Sequence, residues 1–485
     1  MRIENIDVTK TLEEARAALK KEKNLSRSTT LVFELLITIV VILINRMGLN
    51  SKNSSKPPST DNNTDRSGDK NKKKKRKKNK GDQNGHEGKT LHPVDNPDKI
   101  EELKIDRRTL PRGGKYSPYG YVARQEFNIK ISKNIIEYRA ERLIDQHGNV
   151  FTAKFPEGIT HRAQYGASIK SRVVYLSVQQ MIPYERIQDQ FKHDAGLEIS
   201  TGSLVNFKHD AAKKLFQLKF DLAAKQGLAN STFMHNDETG INIAGKRVWL
   251  HGASNDMWTW SEPHQKRGTE AMKDINILPH FSGISCHDHW KPYYQYDCTH
   301  ALCNAHHIRE LTRAHEQDKQ AWASEMRSLL VKLNKVTKKH GGMLTGSVRR
   351  YWRKKYFGII AQGEKECPPT KRKKGQRGKI KQTESRNLLV RLKEYADDVL
   401  RFIDDTRIPF TNNDGEQNIR MNKVQQKISG SFISFDTAKD HYILKSYIET
   451  CKKRGISPST AVEMIFKGKL PEFMQEEVNK IPDTS

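Results

Sequence analysis

Three acidic residues stand where short apolar or turn-forming segments end. They are Asp237 in FMHND, Asp288 in ISCHD and Glu416 in FTNNDGEQNIR. Carboxylates brought within a few ångströms of one another cannot all stay ionised without compensation. Mg2+ or Mn2+ supplies it, because these hard cations prefer carboxylate oxygens to imidazole or thiolate. A pair of such ions about 4 Å apart activates an attacking oxygen and steadies a leaving one in phosphodiester displacement. Asp237, Asp288 and Glu416 are therefore the candidate metal ligands and catalytic residues. Each has another reading. Asp237 suits a strand-end turn, with Glu238 the more interesting neighbour. Asp288, between His287 and His289, suits a local hydrogen-bonded turn. Asn413 to Glu416 has capping-box spacing, which would fold Glu416 back onto its own helix.

The acids need a sheet to bring them together. TFMHNDETGINI, RVWLHGAS and MWTWSEP alternate like three consecutive antiparallel strands. RGTEAMKDINIL has helix length, and FSGISCHD reads as a short buried strand ending in an acid. Phe233, His235 and Asp237 share one strand face, as do Ile284, Cys286 and Asp288. Three strands, a helix and a further strand suggest a ribonuclease-H-like sheet. If the two acid-bearing strands are neighbours, Asp237 and Asp288 meet at one edge.

The fold class expected is multidomain α+β. A ribonuclease-H-like mixed α/β core with a helical insertion follows a helix-turn-helix region and an N-terminal helix. Residues 1–50 read as helix, with a short coiled coil suggested by Leu12, Leu19, Phe33, Val40 and Met47 but interrupted at Ser26. The apolar run Leu31–Ile44 is shorter than the roughly 20 residues of a membrane span, so a buried or self-associating helix and no membrane are expected. Residues 51–92 form a polar, basic linker too poor in apolar side chains to bury a core. Residues 93–160, with EFNIKIS and IIEYRAERLI, suggest a small β-rich module. Residues 161–230 turn helical: Ile169, Val173 and Leu176 form a stripe, Pro183 opens a helix, and Ser200 or Ser203 can cap the next. Helix, Gly-containing turn and helix is the helix-turn-helix outline. Residues 231–298 are the first part of the core and 299–407 a mostly helical insertion. Residues 408–430 carry Glu416, and 431–485 close the chain with short helices.

The 485-residue chain has 86 Lys and Arg against 57 Asp and Glu, a formal net charge of +29. Such an excess attracts polyanions, nucleic acid first among them, with a steep salt dependence. The unbroken run Lys72, Lys73, Lys74, Lys75, Arg76, Lys77 and Lys78 is a candidate grip on phosphate. Arg186, Lys192 and Lys208 in the helical region are others, and Arg420, one helical turn beyond Glu416, is another. A second cationic loop, KRKKGQRGKIK, lies in the insertion. No secretory signal is visible. The five cysteines form no CxxC pair, so a reducing cytoplasm is expected, with the chain nucleoid-associated through DNA.

These segments together resemble the insertion sequence 66 family of DDE transposases over nearly the full length. GLNSKNSSKPPSTD at Gly48–Asp61 and NGHEGKTLHPVDNPD look like the family's signature after its N-terminal zipper. YLSVQQMIPYERIQDQF and GLEISTGSLVNF look like its DNA-binding helices. HNDETGINIAGKRVWLHGAS resembles the segment with the first catalytic Asp, here Asp237, and FTNNDGEQNIR that with the catalytic Glu, here Glu416. The resemblance puts Asp288 in the second catalytic place, although ISCHDHWKPYY departs from the commoner wording. HALCNAHHIREL resembles the family's Cys-x-x-His element. Cys303 and His306 would share a helix face, but two ligands do not close a zinc site, so a buried structural pair is expected. The family's paired zinc cysteines are missing from residues 93–160, where His147 is the only histidine. That module is expected to bind no zinc.

The resemblance implies a mobile-element transposase that binds double-stranded DNA at element ends and at the target. Cleavage and strand transfer would depend on Mg2+ or Mn2+, in a homodimer or larger assembly, with element-encoded accessory proteins as further partners. The alternatives are a catalytically inactive DNA-binding protein, either a degenerate transposase or a repressor, and a metal-dependent nuclease that only hydrolyses.

Overall fold

The computed structural model describes residues 2–3, 6–22, 25–47, 49–54, 91–371, 378 and 380–482. The basic run 72–78, nearly all of the linker and most of the loop 371–381 lie outside the described residues. The N-terminal region is two helices, α1 (Val8–Lys21) and α2 (Arg27–Met47). Ser26, which interrupts the heptad register, starts α2: its Oγ accepts the Thr29 N–H at 3.1 Å. The apolar run grows into a 21-residue helix because Arg27–Thr30 extend it. Its stretch Arg27–Ile44 is long and apolar enough to cross a membrane, by length and composition alone. Leu31, Leu35 and Leu43 are exposed, so this helix is not buried within the chain.

The β-rich module reduces to one antiparallel hairpin, Arg142–Ile144 with Val150–Thr152, closed by Asp145, whose Oδ1 accepts the His147 and Asn149 N–H groups. EFNIKIS forms no regular element. Phe127, Ile129, Ile135 and Ile136 stay exposed, since no second layer covers them. A lone hairpin cannot bury its own faces.

Four helices follow: α3 (Ala167–Val174, continuing as a π turn through Gln179), α4 (Tyr184–Ala195), α5 (Thr201–Gln217) and α6 (Phe220–Ala229). Gly196, at φ 61°, ends α4 in the left-handed conformation, and Ser200 caps α5 by accepting the Ser203 N–H. Val173, Leu176, Ile187, Leu204 and Phe207 form the core shared by α3, α4 and α5. Lys208 is not a surface cation. It is buried, lies over the Tyr184 ring, and is held down to about 8 by burial despite Asp440. The packing of α5 against the C-terminal region takes it off the list of phosphate contacts. Arg186 is exposed, and Lys192 is tied to Glu198 at 3.1 Å.

The sheet begins as a meander: β1 (Phe233–Ile243), β2 (Lys246–Ser254) and β3 (Thr259–His264). Ala244 and Gly245 make the first turn, both at positive φ, as a two-residue hairpin of right-handed twist requires. Helix α7 (Thr269–Ile275) then leads to β4 (Ile284–His287), which runs parallel to β1. A fifth strand, β5 (Thr299–Leu302), pairs parallel with β4. The insertion therefore starts later than expected. Four residues alternating in THAL were too short a signal, and what makes them a strand is the open edge of β4. The order is β3-β2-β1-β4-β5.

The insertion holds α8 (Asn304–Glu316), α9 (Ala321–Lys339), α10 (Gly346–Glu366), α11 (Glu384–Glu394) and α12 (Ala396–Leu400). Trp322, Leu330, Tyr356 and Leu389 form its core, joined by Cys286, Ala301, Phe233 and Ile284 from the sheet. The opposite sheet face packs Met234 and Trp260 against α5, α6 and the C-terminal helices α14 (Phe435–Lys453), α15 (Pro458–Phe466) and α16 (Glu472–Asn479).

Between insertion and C-terminus, α13 (Asn413–Ser429) returns across β1 and β2. It approaches closely because Gly252, opposite Asp237 in the register, has no side chain. A Cβ at Gly252 would lie 3.1 Å from Ile419. Asn418 also donates to Ser254 Oγ at 2.8 Å, and Lys423 to the Gly240 carbonyl. Gly252→Val is expected to push against Ile419 and cost about 1–3 kcal/mol, the usual penalty of overpacking. Thermal unfolding would show it as a lowered Tm with an unchanged helical CD spectrum. An unaltered Tm would show that α13 does not depend on that contact.

Candidate active site

Strand register does the first part of the assembly. His235 on β1 stands opposite Cys286 on β4. Two residues further along each chain come Asp237, midway along β1, and Asp288, just past the end of β4, so the acids come from neighbouring positions of adjacent parallel strands. They fall on the face toward the insertion, where Phe233, Ile284 and Cys286 pack. Helix α13 brings Glu416. Its start is fixed by Asn412, which is buried. Asn412 Oδ1 lies 2.5 Å from His235 Nδ1, its Nδ2 donates to the Asn236 carbonyl at 2.9 Å, and its N–H donates to Cys303 Sγ at 3.1 Å. Asn412, not Asn413, is the N-cap, and its side chain makes no cap hydrogen bond. Glu416 is thus one place too deep for a capping box. Its Oε1 lies 3.7 Å from Cys303 Sγ and 3.8 Å from His306 Nδ1, and its Oε2 3.6 Å from Arg420.

The electrostatics follow from this convergence. Burial, first, and the negative charges of Glu238, Asp288 and Glu416 hold the Asp237 carboxyl well above the usual carboxylate range. The hydrogen bond it accepts comes from the Glu238 N–H at 2.9 Å. Asp237, Asp288 and Glu416 offer the oxygen donors that a hard divalent cation takes, but in this metal-free arrangement they are not a group of donors within 4.8 Å of one another.

Glu238 is differently placed. The pleat turns it to the other face, where its side chain is fully enclosed. It accepts from Arg267 Nη2 at 2.7 Å, from Arg267 Nε at 3.1 Å and from the Tyr293 hydroxyl at 2.8 Å. Arg267 is itself sandwiched, 4.7 Å from the Trp249 ring and 4.3 Å from that of Trp290. Burial and Asp288 raise Glu238 to about 7, against the lowering by Tyr293 and Arg267. Neither Arg267, Tyr293 nor Asn412 stood out in the sequence, because none has a local spacing signal. The Asp288 neighbourhood is also structured: Asp288 Oδ1 accepts the Trp290 N–H at 3.0 Å, and His287 stacks on Tyr293.

The Transposase IS66 family matches residues 162–440, from the α3 helix through the first turn of α14. The chain belongs to the IS66 transposase family. The matched region contains the whole sheet, the insertion and all three acids. DNA is the partner that this transposase family implies, and a divalent metal is its general requirement. A family of unknown function, DUF6444, matches residues 9–92, over α1, α2 and the linker. No curated protein matches the chain.

The site yields two expectations for this IS66 transposase. Asp237→Asn removes a buried charge, so it should raise metal-free stability by about 1 kcal/mol and erase any Mg2+-induced rise in Tm. A Tm that still climbs with Mg2+ as in the parent protein would remove Asp237 from the ligand set. Arg267→Met should strand the enclosed Glu238 carboxylate and cost about 3–5 kcal/mol in denaturant unfolding. Adding Glu238→Gln should recover much of that loss. If it does not, the pair is not what holds this face.

Proposed function

We propose that this transposase binds the ends of its mobile element, cleaves DNA there and joins the end to target DNA, with Asp237, Asp288 and Glu416 as its metal ligands. One observation carries the proposal: Asp237, within β1, and Asp288, just past the end of the adjacent parallel strand β4, stand two residues beyond the His235–Cys286 pair, and the charges of Glu238, Asp288 and Glu416 raise Asp237. The strand order β3-β2-β1-β4-β5, with the helical insertion before α13, supports a ribonuclease-H-like reading of the core. When bound, Mg2+ or Mn2+ would supply the Lewis acidity that activates the attacking oxygen and stabilises the leaving one.

The chain's own residues orient and shield. Asn412 holds the start of α13 against β1, and Arg267 with Tyr293 keeps Glu238 turned away from the acids. Arg420, exposed beside Glu416, is placed to meet a DNA phosphate. Arg349, Arg350, Arg353 and Arg401, with Asp397 and Asp404, line a cavity of about 610 Å3 in the insertion, a second place for backbone phosphate away from the acids. Helices α4 and α5, joined through Gly196, serve in this reading as the helix-turn-helix, with Arg186 toward DNA. Pairing two element ends calls for a dimer or larger assembly, and the exposed apolar face of α2 offers a contact for it. A DNA substrate places the protein in the cytoplasm, associated with the nucleoid.

A strand-transfer assay with element-end DNA and Mg2+ tests the proposal. Joined product is expected, and it should fall at least about 1,000-fold in Asp237→Ala, Asp288→Ala and Glu416→Ala while DNA binding persists. Nicks without joining would indicate a nuclease, and shifted but uncut DNA a binding protein. Full joining by any one variant would remove that residue from the site.

A further inference from the structure

The acid cluster has a second, softer side. Cys303, His306 and Glu416 offer one sulfur, one nitrogen and one oxygen, all within 4.8 Å of one another. Among the described residues, this is the one group of three metal-ligating side chains whose donor atoms lie that close together; Asp237, Asp288 and Glu416 do not form such a group. The trio is not a sequence-local motif. Cys303 ends β5 and caps α8, His306 sits in the first turn of α8, and Glu416 arrives on α13.

The separations are slightly wider than those of an occupied metal site. A tetrahedral zinc ion with Zn–S near 2.3 Å and Zn–N or Zn–O near 2.0–2.1 Å holds sulfur and oxygen about 3.5 Å apart and nitrogen and oxygen about 3.4 Å apart. Here Cys303 Sγ and Glu416 Oε1 are 3.7 Å apart, and His306 Nδ1 and Glu416 Oε1 are 3.8 Å apart. Hydrogen bonding does not account for the imidazole. His306 Nδ1 is buried and has no hydrogen-bond partner, although it faces the carboxylate. The sulfur accepts the Asn412 N–H at 3.1 Å, which opposes the burial that holds the metal-free thiol up at about 11; a metal would displace its proton. Three protein donors with a fourth position free is the open arrangement of zinc sites. A thiolate selects against Mg2+ and for zinc and its neighbours.

We propose that Cys303, His306 and Glu416 form a site for a thiophilic divalent ion such as Zn2+, sharing Glu416 with the hard-metal cluster. Occupation would draw Glu416 Oε1 toward the sulfur and away from Asp237 and Asp288. Zn2+ would then act as an antagonist of Mg2+, a consequence that rests on the transposase reading. The site itself does not.

Cobalt(II) titrated into the full chain tests the site without DNA. Tetrahedral visible bands and a thiolate-to-cobalt charge-transfer band are expected, both abolished by stoichiometric Zn2+. Cys303→Ala should lose the charge-transfer band, and Cys303→Ser serves as the control that keeps the side-chain volume. His306→Ala and Glu416→Gln should weaken cobalt binding about 10–100-fold or more. Far-ultraviolet CD confirms that each variant is folded. The absence of the charge-transfer band, or its survival in Cys303→Ala, would overturn the site. Zn2+ should also suppress Mg2+-dependent DNA cleavage by the parent protein. Cobalt bands without any DNA cleavage in Mg2+ would leave the metal site standing and remove the transposase reading. Cleavage that Zn2+ leaves untouched would remove the antagonism.

Discussion

Negative charge gathered at the middle of the sheet is the constraint on which the rest of the structure depends. Carboxylates brought near one another repel, and a partly buried one has given up much of its water. The fold must therefore hold them there by other means. The means are backbone pairing and packing. Parallel hydrogen bonding between β1 and β4 sets Asp237 beside Asp288 through the His235–Cys286 register, and side-chain electrostatics have no part in that choice. Glu416 is brought by a helix whose own anchors, Asn418 and Lys423, grip β2 and β1 rather than the acids. The fold thus stores an unfavourable charge arrangement on a scaffold that does not consult it.

The pleat of β1 then separates two kinds of carboxylate. Asp237 and Glu238 are sequence neighbours, yet they point to opposite faces. Glu238 meets a guanidinium clamped between two indoles and a tyrosine hydroxyl, which fill its hydrogen-bonding capacity. Asp237 meets other acids. A ligand for an added cation must not already be neutralised, so the face lacking an arginine is the one suited to metal. Neutralising Glu238 matters to Asp237 too, since Glu238 is the foremost of the charges that raise it.

How much of this was legible in the sequence depended on the range of the interaction. The meander β1–β3 was readable because alternation over six to eleven residues is a local pattern. The acid at the end of β4 was readable for the same reason. The strand β5 was not, since its four residues become a strand only through the edge they meet. Glu416 was ambiguous because capping and ligation share a spacing, and the fold excludes the capping box by recruiting Asn412 to His235 and Asn236. Lys208 read as a surface cation because its helix is amphipathic, but α5 is covered on a second side. Of the strands expected in residues 93–160, the end of IIEYRAERLI forms one arm of a hairpin, but EFNIKIS does not become a strand, because its local pattern meets no tertiary layer. The exposed α2 shows the same mismatch, an apolar helix whose counterpart is not supplied by the described residues.

Cys303 shows why a two-residue motif underdetermines chemistry. Counted along the chain, a cysteine and a histidine three apart make half a metal site, and a buried structural pair is the economical inference. In the fold, β5 ends with Cys303 directly beneath the start of α13, because the Asn412 N–H needs an acceptor there and the sulfur provides it. That single bond fixes the sulfur relative to Glu416. Once α13 is seated on β1 and β2, Glu416 comes within 3.7 Å of the sulfur without any further choice. A serine at position 303 could accept the same N–H without offering a soft donor there. The sulfur is therefore the feature that packing and capping alone do not explain.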